Sequence, residues 1–249
     1  MANLSKVCIV TGGTSGIGEA TALLAQEQGY RVYNLDLSRP TSSQRKDIFI
    51  KCDVTNLSDV EAAVNRISYR EEMIDALVIS AGVHLSANIE QTSENDFDRV
   101  MNVNTKGTYY LLKSVIPLMK EKRKGSIVIV SSDQAFIGKK NSFAYNSSKA
   151  AIAAMARTIA LDYAPFGIRC NAVCPGTIDT PLYQGAVQRY ASKHGLDPDE
   201  VHKEEAKEQP LGRIGTPQDV AGFIGFLMGD SASFITGALL PIDGGYTAR

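Results

Sequence analysis

The chain has 249 residues with 26 Lys and Arg against 27 Asp and Glu, a formal net charge of −1. It has no basic block to follow a phosphate backbone or an anionic bilayer, and no run of about 18 apolar residues to cross one, which argues against nucleic acid and membrane as partners. Hydrophobic residues make up 44% of the sequence, enough for a large core, and the length suits one α/β domain.

The start, M-A-N-L-S-K-V-C-I-V, lacks a charged leader followed by a long apolar segment, so a soluble cytoplasmic protein is expected. Residues 7–10 read as a strand, 11–18 (T-G-G-T-S-G-I-G) as a glycine turn, the next stretch up to Gly29 as a helix, and 31–36 as a second strand. Glycines between a strand and a helix let the backbone approach a pyrophosphate, which the helix N-terminus attracts. Asp36 closes the second strand, where a carboxylate can accept bonds from the adenosine ribose hydroxyls and repel a 2′-phosphate. Leu37 follows it instead of Arg or Lys, so NAD is expected over NADP despite the nearby Arg39.

Residues 37–47 are polar, contain a proline and show no helical period. Residues 48–52 form a third short strand ending at Asp53 and Val54, and 57–67 a helix starting near Asn56 or Ser58. A fourth strand, 76–79, runs into Ser80-Ala81-Gly82-Val83-His84, and one long helix is expected over 94–122. Strand five covers 126–131, a helix 144–164 ends at Pro165 and Gly167, and strand six covers 168–173. Residues 182–211 are highly charged with few apolar positions, and read as a lid over the carboxyl ends of the strands. A last helix, 216–228, precedes strand 239–242. The strands are continuous apolar runs with no internal repeat or linker, which predicts a single-domain Rossmann-type doubly wound parallel sheet of about seven strands with helices on both faces. Cys8, Cys52, Cys170 and Cys174 fall inside strand-like segments at spacings unlike a disulfide scaffold. Cys170 and Cys174 have no His cluster near them, so they read as buried small hydrophobes, and no metal is expected.

The chemistry concentrates in residues 132–149, S-D-Q-A-F-I-G-K-K-N-S-F-A-Y-N-S-S-K. Tyr145 and Lys149 stand four apart, on one face of a helix. To exchange a proton near neutrality a phenol has to be acidified by about three units, roughly 4 kcal/mol. One unit charge at ~4 Å in an effective dielectric of ~20 contributes about 4 kcal/mol, so Lys149 is of the right size. Ser132, at the end of the run 127–130, is placed to hold the oxygen that Tyr145 protonates or deprotonates.

Taken together, Thr11 to Gly18, Asp53-Val54, Asn104, Ser132, Tyr145-x-x-x-Lys149, Pro175-Gly176 and the D-G-G ending resemble the short-chain dehydrogenase/reductase family over essentially the whole length. The resemblance implies that Tyr145 is the acid/base, that Lys149 tunes it and binds ribose, that Ser132 positions the substrate oxygen and that Asn104 anchors a proton-relay water. It implies NAD contacts from Gly12, Thr14, Ser15, Gly16, Ile17 and Gly18, then Asp36, Asp53, Val54, Ala81 and Gly82, and around the nicotinamide Pro175, Gly176, Thr177, Ile178 and Thr180. Ser80 departs from the family's N-A-G turn. Residues 167–181 are similar to cytosolic-type 3-hydroxybutyrate dehydrogenases and bacterial 2-keto-3-deoxy sugar-acid dehydrogenases. In such relatives the substrate meets the positions of His84, Gln134 and Ser142, the last a departure from the Lys or Arg used for carboxylates, with Lys139, Lys140 and Asn141 close by.

These features imply an NAD-dependent oxidoreductase of a secondary alcohol or ketone on a small polar substrate, a hydroxy acid, sugar acid, sugar or polyol. By resemblance a homotetramer is expected. The rivals are a 3-oxoacyl thioester (acyl carrier protein) reductase using NADP, and a non-catalytic NAD-binding regulator on the same fold.

Overall fold

A computed structural model describes residues 6–40 and 45–248. Residues 1–5 at the start of the chain and residues 41–44 of the expected irregular stretch 37–47 lie outside the described residues; 37–40 and 45–47 are non-helical.

The strands are β1 (Val7–Thr11), β2 (Arg31–Asp36), β3 (Ile48–Lys51), β4 (Ala76–Ile79), β5 (Gly125–Val130), β6 (Ile168–Pro175) and β7 (Leu239–Ile242). They form one seven-stranded parallel sheet in the order β3-β2-β1-β4-β5-β6-β7. The helices are α1 (Gly16–Glu27), α2 (Leu57–Ser68), α3 (Glu94–Val100), α4 (Gly107–Lys122), α5 (Phe143–Tyr163), α6 (Pro181–His194), α7 (Pro198–Glu208) and α8 (Pro217–Met228). Side chains alternate across a strand, so each apolar run feeds two cores. Ile9, Leu77, Ile127 and Ile129 pack with α2, α4 and α5, whereas Val10, Val78 and Val128 pack with α1 and α8. All four cysteines are buried and free, as small hydrophobes are. No helix among the described residues is long and apolar enough to cross a membrane.

The single helix expected over 94–122 is corrected. Residues Met101–Lys106 form a π-helical segment between α3 and α4. Apolar spacing does not register one widened turn, because the stripe on both sides keeps its face. That turn carries the buried Asn104.

The chain order reverses across the sheet between β1 and β4, which opens a crevice at their carboxyl ends. Gly12 ends β1 there at φ +65°, and a Cβ on it would lie 2.8 Å from the Ala81 backbone. Thr11 Oγ1 accepts from Ser80 N–H at 3.2 Å and from Ala81 N–H at 3.3 Å, so β1 and the turn after β4 are held together at the crevice mouth.

Candidate active site

One cavity of about 2070 Å³ runs along the carboxyl ends of the strands, from Asp36 past Ser132 and Tyr145 to α6 and α7. Of the expected cofactor positions, all but Thr14 and Gly18 line it.

At one end the glycine loop turns into α1. The Ser15 side chain makes no cap bond, so the first-turn N–H groups face outward unpaired by a side chain. A Cβ on Gly18 would overlap the Gly12 carbonyl, which is why the helix approaches the loop so closely. The Asp36 carboxylate accepts from Thr14 N–H at 3.0 Å and from Leu37 N–H at 2.7 Å, fixing it at the rim. Arg39 lies over the Phe49 ring, 5.3 Å from its centre, turned to an aromatic face. Asp53 accepts from the Thr55 N–H and hydroxyl at 2.9 and 2.7 Å. Gly176 N–H donates to the Ile242 carbonyl, and Thr180 Oγ1 caps α6 by accepting from Tyr183 N–H at 3.2 Å. A cradle built for close backbone approach, uncapped N–H groups and a fixed carboxylate at the ribose end fit a dinucleotide.

Ser132, Tyr145 and Lys149 meet in the middle of the cavity, with Asn104 behind them. Asn104 Oδ1 accepts from Val83 N–H at 2.8 Å, while its Nδ2 donates to the Val83 carbonyl and the Ser148 hydroxyl at 3.0 and 2.9 Å. It therefore ties the loop after β4 to α5. Lys149 is 5% exposed, its carbonyl accepts from the Ser131 hydroxyl, and its Nζ donates to the Val130 carbonyl at 2.8 Å. Burial lowers its pKa to about 8. The Tyr145 phenol is pushed well above its ordinary range, chiefly by burial and then by the charge of Asp133, while a hydrogen bond with Ser132 works the other way. The expected acidification by Lys149 is thus not what this arrangement delivers. The ammonium lies 5.6 Å from the ring centre and is engaged by the strand backbone. The Ser132 hydroxyl lies within hydrogen-bond reach of Tyr145 and donates to Asp133 Oδ1 at 2.7 Å.

On the substrate side His84 packs edge-on against Tyr145, ring centres 4.8 Å apart. Burial, then the charges of Arg189, Lys139 and Lys149, lower its pKa to about 4, so it is a neutral imidazole, and its buried Nδ1 has no partner among the described residues. Ser142 is buried and donates to Gln134 Oε1 at 2.6 Å, which orients that amide. Asn141, at φ +55°, makes the turn before α5, and Lys140 is exposed at the cavity edge. The segment expected to be a lid is a helix pair: α6 buries Val187 and Ala191, and α7 buries nothing. Glu205 on α7 receives Lys139 Nζ at 3.4 Å and the Thr177 hydroxyl at 3.3 Å.

Three contributors escaped the sequence reading. Ser148 fixes Asn104, Asp133 engages Ser132, and Glu205 joins α7 to Lys139 and Thr177. Only Asp133 carried a signal, as a carboxylate next to Ser132 at the end of an apolar strand.

Chemically, the site sets a phenol, a hydroxyl and an ammonium beside a dinucleotide cradle. Among the described residues no group of three His, Cys, Asp or Glu is gathered to hold a metal. The family described as enoyl-(acyl carrier protein) reductase matches residues 12–247. The 3-oxoacyl-[acyl-carrier-protein] reductase FabG of Thermotoga maritima is 35% identical, covering 96% of this chain and 97% of that one. The cis-4-hydroxycyclohexanecarboxylate dehydrogenase of Sinomonas cyclohexanicum is 35% identical over 98% of this chain and 97% of its own. Among solved structures, the aldohexose dehydrogenase of Thermoplasma acidophilum superposes with a TM-score of 0.92 at 42% identity, covering 99% of this chain and 95% of that one.

Proposed function

The chain belongs to the short-chain dehydrogenase/reductase family, and on that premise we propose that it is an NAD-dependent dehydrogenase of a secondary alcohol on a small polar substrate such as a hydroxy acid, sugar acid, sugar or polyol. The observation that carries this reading is the meeting of Ser132, Tyr145 and Lys149 in the same cavity as the glycine cradle and Asp36. Asp36 supports NAD, since its rim carboxylate suits ribose hydroxyls and repels a 2′-phosphate. The polar lining by His84, Gln134, Asn141 and Arg189 supports a polar substrate, and relatives acting on an aldohexose and on a hydroxy acid point the same way.

When bound, NAD supplies the hydride acceptor at its nicotinamide ring. The chain's own residues handle the proton and the positioning. Tyr145 Oη takes the hydroxyl proton of the alcohol, or returns it to the carbonyl oxygen in reduction. Ser132 Oγ holds that same oxygen against the phenol. Lys149 Nζ, anchored on Val130, holds a positive charge over the ring and beside Gly82, on the cofactor side of the site, where it would hold the ribose. Asn104 keeps the loop after β4 in register with α5, and His84 covers the Tyr145 ring. Helices α6 and α7 close over the substrate and exclude water.

A 3-oxoacyl-(acyl carrier protein) reductase is the second reading, favoured by the FabG likeness. Purified protein is assayed by nicotinamide absorbance with NAD and NADP against hydroxy acids, sugar acids, sugars, polyols and, in reverse, a 3-oxoacyl thioester. Turnover of a small polar alcohol with NAD supports the proposal. Preference for NADPH with the thioester replaces it by the second reading, and cofactor binding without any turnover replaces it by a non-catalytic regulator.

A further inference from the structure

Resting on the reading of Tyr145 as the group that meets the reacting oxygen, we propose that Arg189 of α6 is a specificity-determining residue that takes a carboxylate of the substrate. The alcohol is then a hydroxy acid or sugar acid in its ionised form, in preference to a neutral sugar or polyol.

Arg189 falls in one row of α6 with Leu182, Ala186 and Lys193, spaced three and four apart, and all four line the cavity. It is exposed and makes no hydrogen bond or ion pair among the described residues. Its charge nevertheless reaches the centre of the site. His84, whose ring centre is 4.8 Å from that of Tyr145, feels Arg189 more strongly than Lys139 or Lys149, and no carboxylate is among the charged groups that act on it. The other two cations are already engaged. Lys139 Nζ pairs with Glu205 at 3.4 Å, and Lys149 Nζ donates to the Val130 carbonyl at 2.8 Å. His84 itself is kept neutral, chiefly by burial, and adds no charge. The guanidinium of Arg189 is thus the uncommitted charge facing the space beside Tyr145.

In an open cavity that charge is held by water. Once α6 and α7 close over a substrate, the guanidinium loses water and needs a partner, because a desolvated and unpaired ion is costly. A neutral sugar or polyol leaves it unpaired. A carboxylate supplies one negative charge and two oxygens that match the planar fork of N–H donors. A phosphate ester, with up to two charges, would ask for a second free cation beside His84, where Lys139 and Lys149 are held by Glu205 and Val130.

The test measures KM and kcat at saturating NAD for the hydroxy or sugar acid of highest turnover and for its methyl ester, which keeps the carbon skeleton and loses the charge. Polyols, sugars and sugar phosphates complete the panel. It compares wild type, Arg189→Met, which keeps length and removes charge, and Arg189→Lys, which keeps charge and removes the fork. In the wild type the acid KM lies about tenfold or more below that of the ester, and added salt raises the acid KM alone. Arg189→Met raises the acid KM about tenfold, leaves the ester and NAD KM values unchanged and removes the salt effect, while Arg189→Lys restores part of the loss. An exposed, unbonded side chain leaves the melting temperature where it was. Equal use of acid and ester, both KM values rising alike in Arg189→Met, or turnover confined to polyols, sugars or sugar phosphates overturns the proposal and leaves the oxidoreductase reading standing. No turnover of any alcohol by the wild type removes that reading and this inference together.

Discussion

The Lys149 ammonium sits 5.6 Å from the centre of the Tyr145 ring and spends its 2.8 Å hydrogen bond on the Val130 carbonyl, at the end of β5. A residue of α5 thereby anchors on the sheet, and the positive charge is held over the face of the phenol ring. On the proposed function, proton exchange rests on the Tyr145 oxygen itself. Tyr145→Phe keeps the ring, its edge contact with His84 and nearly all of its volume, so it is expected to fold and bind NAD as wild type does. Turnover should fall by about three orders of magnitude, within the 10²- to 10⁴-fold typical of general acid/base groups. Retention of more than about a tenth of the wild-type rate would remove Tyr145 from that role.

Lys149 also sets a pH dependence of stability. Its pKa is about 8 in the folded protein against an ordinary 10.5, because burial disfavours the ammonium. Between those two values the unfolded chain binds the extra proton, so stability rises with pH across the window and the cost of burying the charge is greatest below it. Lys149→Met abolishes this contribution. Melting curves of the two proteins without cofactor, taken from neutral pH upward, should show wild type gaining on the variant as pH passes about 8. Parallel pH dependences would contradict a depressed Lys149 pKa.

On the proposed function, Asp36 selects the cofactor. Its carboxylate is held at the cavity rim by the Thr14 and Leu37 N–H groups, and the nearby Arg39 is turned onto Phe49. NAD should exceed NADP at least tenfold in kcat/KM, about 1.4 kcal/mol, and Asp36→Ala should narrow the gap by raising efficiency with NADP. Equal use of both cofactors by the wild type would refute the assignment.

The lid is expected to be a low-stability unit. Helix α7 buries no residue and is joined to the cavity through Glu205, which receives Lys139 and Thr177. Amides of residues 182–211 should exchange quickly in the free protein and slowly with cofactor and substrate bound. Glu205→Gln weakens the join to Lys139, and should raise substrate KM by a few fold with cofactor KM unchanged. Slow exchange in the free protein would make the segment a rigid part of the fold.

Assembly as a homotetramer is a further expectation. Along α5, Ala153 and Ala156 are spent on the sheet side, but Ala150, Ala154 and Leu161 remain exposed on the opposite face, where small residues permit close helix packing. Light scattering at micromolar concentration should give four chains, and Ala154→Arg should lower the mass. A monomeric wild type would exclude it.

The strands, the glycine turn and the four-residue step from Tyr145 to Lys149 were written in local periodicity, because apolar spacing and backbone freedom act between near neighbours in the chain. For the same reason the sequence alone put β2 and β4 at their observed places, β1 and α2 to within a residue at their ends, and offered Asn56 as one of two candidate starts for α2, where it is the cap. Its limits were also those of local pattern. The periodicity over residues 94–122 could not register the π turn at Asn104, since an inserted residue leaves the stripe on either side intact. Tertiary structure alone decided which partner each polar group of the site would find. Asn104 meets Val83 and Ser148, 21 and 44 residues away, and Glu205 reaches Lys139 across 66. Even Ser132 and Asp133, adjacent in the chain, were legible only as a hydroxyl beside a carboxylate. That the two are buried together and bonded to each other depends on the seven paired strands and the helices packed against them.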